Sequence, residues 1–84
     1  MNFSFTLQVA GIDTHKRDYE EKLYEAGCDD ALIAVVKDTL FLDFDREAAS
    51  YEEALRTARR DVEKAGGRVV DAKPASAIVL SGAG

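Results

Sequence analysis

The chain has 84 residues, 46% hydrophobic and 32% charged, which suits one small soluble domain with a modest core and excludes a disordered chain. It offers no apolar run long enough to span a membrane and no basic-then-apolar leader in Met1-Asn2-Phe3-Ser4-Phe5. Its one cysteine builds neither an internal disulfide nor a thiolate metal site, so a cytoplasmic protein is expected. The net charge of −5 is uneven: residues 18–53 hold twelve acids against Lys22, Lys37 and Arg46, and residues 54–84 hold three acids against six bases. An acidic middle disfavours direct binding to nucleic-acid phosphates and favours basic partners.

Phe3, Phe5, Leu7 and Val9 alternate with Ser4, Thr6 and Gln8, the period of a half-buried strand. Asp13 or Thr14 is positioned to cap a helix of about ten residues, whose apolar stripe is Tyr19, Leu23 and Ala26. Gly27 is placed to end it with a left-handed cap. Ala31 to Val36 is a continuous apolar run, consistent with a central strand. After the break Lys37-Asp38-Thr39, the residues Leu40, Leu42 and Phe44 alternate with Phe41, Asp43 and Asp45, so the two runs form a hairpin of open turn type.

Ser50-Tyr51-Glu52-Glu53 is a capping box. The helix it opens buries Ala54, Leu55, Ala58, Val62 and Ala65, and its alanines imply close approach to a sheet. Glu52–Arg56 and Arg59–Glu63 are spaced as i, i+4 pairs. Gly66-Gly67 stops the helix, Arg68 to Ala72 is a short strand, and Pro74 closes it. Ala77-Ile78-Val79-Leu80 is expected to add a short edge strand, because four apolar residues are costly to leave in water.

This βαββαβ order predicts an α+β, ferredoxin-like domain over 1–84, with its core over about 3–74 and residues 75–84 as a tail or edge strand. Its four-stranded antiparallel sheet carries two helices on one face. The other face is expected to expose Ser4, Thr6, Gln8, Phe41, Asp43 and Asp45.

No catalytic, cofactor-binding or metal-binding set is found. His15 is the only histidine and reads as a solvent-facing residue. Cys28 beside Asp29 and Asp30 reads as a packed thiol blunted by negative charge. Asp29 and Asp30 are adjacent, so on extended chain they point to opposite faces. Asp43 and Asp45 share a face about 6.7 Å apart, and with Asp38 and Glu47 they form a candidate acidic ridge.

An RNA-recognition domain needs aromatic and basic residues on its central strands, where this chain has Phe41-Leu42-Asp43-Phe44-Asp45. A copper chaperone needs Cys-x-x-Cys. An acylphosphatase-like enzyme needs an anion-wrapping loop with Arg and Asn, whereas Gly11 to Arg17 lacks the glycines and the only Asn is Asn2. Arg56, Arg59, Arg60 and Lys64 are interrupted by acids and read as a solvated helix face.

Leu23-Tyr24-Glu25-Ala26-Gly27-Cys28-Asp29-Asp30-Ala31 and Leu42-Asp43-Phe44-Asp45-Arg46-Glu47-Ala48 stand out, the second being followed by Ser50 and the alanine-rich helix through Asp61-Val62. Together they resemble the N-terminal α/β domain of small bacterial helix-turn-helix DNA-binding proteins, over roughly residues 3–74. In that family a helix-turn-helix follows the last strand. Here ten residues without a helical pattern follow Pro74, so the resemblance implies the α/β domain alone. By size and acidity the chain is also similar to anti-CRISPR and other DNA-mimic inhibitors of phage or mobile-element origin.

The expected function is that of a non-enzymatic, acidic protein-interaction module that inhibits or modulates a nucleic-acid-binding protein. Asp29, Asp30, Asp38, Asp43, Asp45 and Glu47 would meet a basic protein surface, with no nucleic acid or membrane bound directly and the chain a monomer or weak homodimer. The alternative is a regulatory or antitoxin-like domain of a transcription-regulator family, acting through oligomerisation at Val69, Val70 and Ala77–Leu80.

Overall fold

A computed structural model describes residues 1–74; the expected strand at Ala77–Leu80 lies outside them. In chain order the elements are β1 (Asn2–Ala10), α1 (Tyr19–Leu23) with a wide turn of helix over Tyr24–Cys28, β2 (Ala31–Val36), β3 (Thr39–Glu47), α2 (Tyr51–Lys64) and β4 (Arg68–Pro74). The four strands form one antiparallel sheet in the order β2-β3-β1-β4. A four-stranded antiparallel sheet with two helices is consistent with a ferredoxin-like fold. Among the described residues no helix is long and apolar enough to cross a membrane.

The alternation in β1 and β3 decides which face is covered. Phe5, Leu7 and Val9 and, across the ladder, Leu40, Leu42 and Phe44 are buried. They meet Leu23, Cys28, Ala54, Ala58 and Val62 from the helical segments in one core. Phe5 stacks on Phe44 at 5.3 Å between ring centroids, and Tyr51 stands edge-on to Phe5 at 5.9 Å. The fully buried Ala54 and Ala58 present no bulk beyond Cβ, so α2 lies close to the sheet.

The helix ends follow capping chemistry. Glu53 N–H donates to Ser50 Oγ at 3.1 Å, the forward arm of the capping box. At the other end Gly66 N–H donates to the Glu63 carbonyl and Gly67 N–H to the Val62 carbonyl, both at 3.0 Å. This is a Schellman closure, with Gly66 in the left-handed region at φ 93°. The i, i+4 pairs Glu52–Arg56 and Arg59–Glu63 are not among the ion pairs formed.

Two expectations need correction. The first helix begins at Tyr19, preceded by Asp18 without a side-chain cap, and not near Asp13 or Thr14. Asp13 instead accepts the His15 N–H at 3.0 Å, a local Asx turn that competes with helix and holds this stretch outside it. Second, β2 is an edge strand and not a central one. Its apolar run is exposed at Leu32 (75%), Val36 (54%) and Val35 (43%).

The β2–β3 turn is now defined. Val36 pairs with Thr39, leaving Lys37 and Asp38 as a two-residue loop with φ of 51° and 64°. Positive φ at both positions is the type I′ signature, the turn whose twist matches the flanking strands.

Candidate protein-interaction surface

The face of the sheet away from the core carries the candidate surface. Antiparallel register places Asn2 opposite Glu47, Ser4 opposite Asp45, Thr6 opposite Asp43 and Gln8 opposite Phe41. Asp43, Asp45 and Glu47 are exposed on one side of β3, as the alternation required, and Ser4, Thr6, Gln8 and Phe41 share that side. On the outer side of β3, Leu32 lies opposite Asp43 and Ala34 opposite Phe41. The surface thus pairs an acidic column with an apolar strip of Leu32, Ala34 and Phe41. Thr6 Oγ1 donates to the Asp43 carboxylate, which fixes one member of the column, while Lys73 on β4 approaches Asp71 at 3.9 Å.

The six acids expected to act together are not all brought together. Asp43, Asp45 and Glu47 form the column. Asp38 sits in the β2–β3 turn with His15 Nε2 at 3.8 Å, at the opposite end of β3. Asp29 is exposed in the turn before β2. Asp30 is engaged within the fold: both its carboxylate oxygens accept from Arg46, at 2.7 and 2.9 Å. Of the residues expected to mediate oligomerisation, Val69 packs against the core. Val70 is exposed where the β1–β4 register slips between Gln8 and Val9.

Arg46 was not singled out from the sequence, yet it is the most connected polar residue of the domain. Besides Asp30 it reaches the Gly27 carbonyl at 2.7 Å, Thr57 Oγ1 at 3.2 Å and Asp61 Oδ2 at 3.0 Å. Its guanidinium also lies 5.0 Å from the Phe44 ring centroid. Arg46 and Asp61 are both buried, and hydrogen bonding to Asp30 raises the Arg46 pKa further. A signal for the pair did exist. Arg46 continues the inward parity of Leu40, Leu42 and Phe44, and Asp61 falls on the inward stripe of Ala54, Ala58 and Val62. Two opposite charges on inward faces must meet or be expelled.

Gly27 belongs to the same junction. It has φ of 116°, and an added Cβ would sit 2.6 Å from Asp61 Oδ2. Glycine therefore both ends the first helical segment and admits the Asp61 carboxylate. Cys28 beside it is fully buried, and burial, reinforced by Asp61, pushes its thiol pKa up to about 11. A thiol so held is a packing group rather than a nucleophile.

Among the described residues, no three His, Cys, Asp or Glu side chains gather to hold a metal, and every buried side-chain N or O atom has a partner. A cleft of about 180 Å³ opens between the Gly11–Asp13 turn, Tyr19 and Ala65, and two wider, more open hollows of about 530 and 410 Å³ lie beside Lys22, Glu25 and Lys64 and beside Phe3, Tyr51 and Pro74. No family model matches the chain, and comparisons with curated proteins and with solved structures found no match.

Proposed function

We propose that this protein is a non-enzymatic interaction module, built on a ferredoxin-like βαββαβ frame, that inhibits or modulates a nucleic-acid-binding protein by occupying its basic surface. The observation that carries the reading is the exposed column Asp43, Asp45 and Glu47 on one side of β3, flanked by the apolar Leu32, Ala34 and Phe41. A row of negative charges along an extended backbone suits a groove made to receive phosphates. The neighbouring apolar strip supplies the desolvated contact that a charge row alone lacks. Asp29 and Asp38 extend the negative field beyond the column, whereas Asp30, held by Arg46, contributes less.

The test compares the wild-type chain with the triple variant Asp43→Asn, Asp45→Asn, Glu47→Gln as baits in extracts of the source cell, followed by mass spectrometry. The expected result is one or more nucleic-acid-binding proteins retained by the wild type, released by added salt and lost from the triple variant. Equal retention by both baits, with the same salt dependence, would sink the reading.

A further inference from the structure

We infer that the free edge of β2 is the contact by which two copies of this chain pair, strand against strand, about a two-fold axis at Ile33. The inference is independent of the acidic column, which lies on a face and not on this edge.

β2 is the outermost strand, and among the described residues nothing pairs with its far side. The two sheet edges differ in kind. β4, at the other edge, carries Arg68, Asp71, Lys73 and Pro74 and a register slip, all of which discourage a further strand. β2 is Ala31-Leu32-Ile33-Ala34-Val35-Val36, regular and uncharged.

Ladder geometry identifies the groups this edge offers. In a two-residue hairpin the flanking pair, here Val36 and Thr39, exchanges both backbone bonds, and bonded pairs then alternate along the strands. The bond from Asp45 N–H to the Asp30 carbonyl, at 3.1 Å, follows the same parity at the far end. Asp30, Leu32, Ala34 and Val36 therefore bond inward to β3, and Ala31, Ile33 and Val35 turn their N–H and C=O groups outward.

One antiparallel register uses all of these groups. With Ile33 opposite Ile33 of a second copy, Ala31 faces the second copy's Val35, and every outward N–H and C=O of the three residues is bonded. In that register Asp29, in the turn before β2, and Lys37 of the second copy, in its β2–β3 turn, flank the same end of the strand pair, and by symmetry the arrangement occurs twice. Both residues are exposed, so each end of the strand pair closes on opposite charges. A shift of one residue would exchange the two faces. A shift of two, with Ala34 on the axis, would set Ala31 against Lys37, whose φ of 51° takes it off the strand, and would part Lys37 from Asp29.

An interface centred on one strand is small beside the ~1,600 Å² typical of stable complexes, so the dimer is weak and belongs at micromolar to millimolar concentration. Sedimentation equilibrium of the full chain across that range should show a monomer–dimer equilibrium. Asp29→Lys and Lys37→Glu should each weaken it about tenfold by replacing two attractions with two repulsions. The double variant Asp29→Lys/Lys37→Glu should return the constant to within about threefold of wild type. Both sites are exposed and neither touches the Arg46 junction, so circular dichroism should be unchanged.

Amide exchange should show the Ile33 and Val35 N–H groups protected only as concentration rises. Three outcomes overturn the inference: a monomer throughout the range, a dimer indifferent to the charge swaps, or Ile33 and Val35 amides protected at every concentration in a monomer, which would mean that another segment of the chain covers the edge.

Discussion

Arg46 donates to both oxygens of the Asp30 carboxylate, at 2.7 and 2.9 Å, and so ties the end of β3 to the turn that opens β2. With its other nitrogen the same guanidinium reaches Asp61 on α2 at 3.0 Å. One side chain thereby joins a strand, a turn and a helix.

Removing it should be more damaging than its single charge suggests. Arg46→Ala removes the nearer partner of the buried Asp61, leaving it only Arg60 Nε at 3.6 Å, and is expected to cost about 3 kcal/mol, a large share of the stability of a domain this small. Arg46→Lys keeps the charge but not the planar fork, and should fall between that variant and wild type. Urea denaturation followed by circular dichroism measures both.

Gly27 and Gly66 both have positive φ, 116° and 93°, but they should respond differently to alanine. At Gly66 an added Cβ meets nothing within 4 Å, so the cost is the left-handed conformation alone, about 1–2 kcal/mol. At Gly27 the added Cβ also runs into Asp61 and must disturb the Arg46 network, so a larger loss is expected. Thermal melts of the two single variants, compared directly, decide the order.

Lys37 and Asp38 hold a turn that asks for Asn-Gly. Replacing them with Lys37→Asn and Asp38→Gly should stabilise the monomer by about 1 kcal/mol or more, since both positions have positive φ. The comparison is made by denaturation at submicromolar concentration, below the range in which the chain is expected to self-associate.

Cys28 makes a prediction about pH. Its folded-state pKa is raised from 9.0 to about 11, so the folded state resists losing this proton and the unfolded state does not. The contribution is fully present below the unfolded value and is lost as pH rises from about 9 towards about 11. Cys28→Ala should flatten that part of the stability profile, and in the wild type labelling by a disulfide reagent at pH 8 should track the unfolding rate. Fast labelling of the native protein would contradict the burial argument.

Much of the frame was legible in the sequence because it rests on local rules. Phe5, Leu7 and Val9 alternate, Ser50 precedes a helix with Glu53 in register, and Gly66-Gly67 closes it. What escaped depends on which segments become neighbours. Ala31 to Val36 looks the same whether it is buried at the centre of a sheet or left at its edge to meet another chain. The Lys37-Asp38 turn has none of the glycine or asparagine that announces its type. Arg46 collects Gly27, Asp30, Thr57 and Asp61, partners from three separate segments that only the tertiary fold assembles. The acidic column was readable because strand alternation alone puts Asp43, Asp45 and Glu47 on one side.

The position of β1 has a kinetic consequence. This first strand lies inside the sheet, bonded on one side to β3 and on the other to β4, whose residues Arg68–Pro74 close the described chain. The β2–β3 hairpin and α2 can form from neighbours in sequence, but β1 is complete only when β4 is present as well. The loop that β4 closes spans nearly the whole domain, and its entropy must be overcome before the last ladder contributes. On the ribosome, the earliest strand to emerge waits longest for its second partner. Folding should therefore finish only once β4 has left the ribosome, and a nascent chain stopped before Arg68 should leave one side of β1 open.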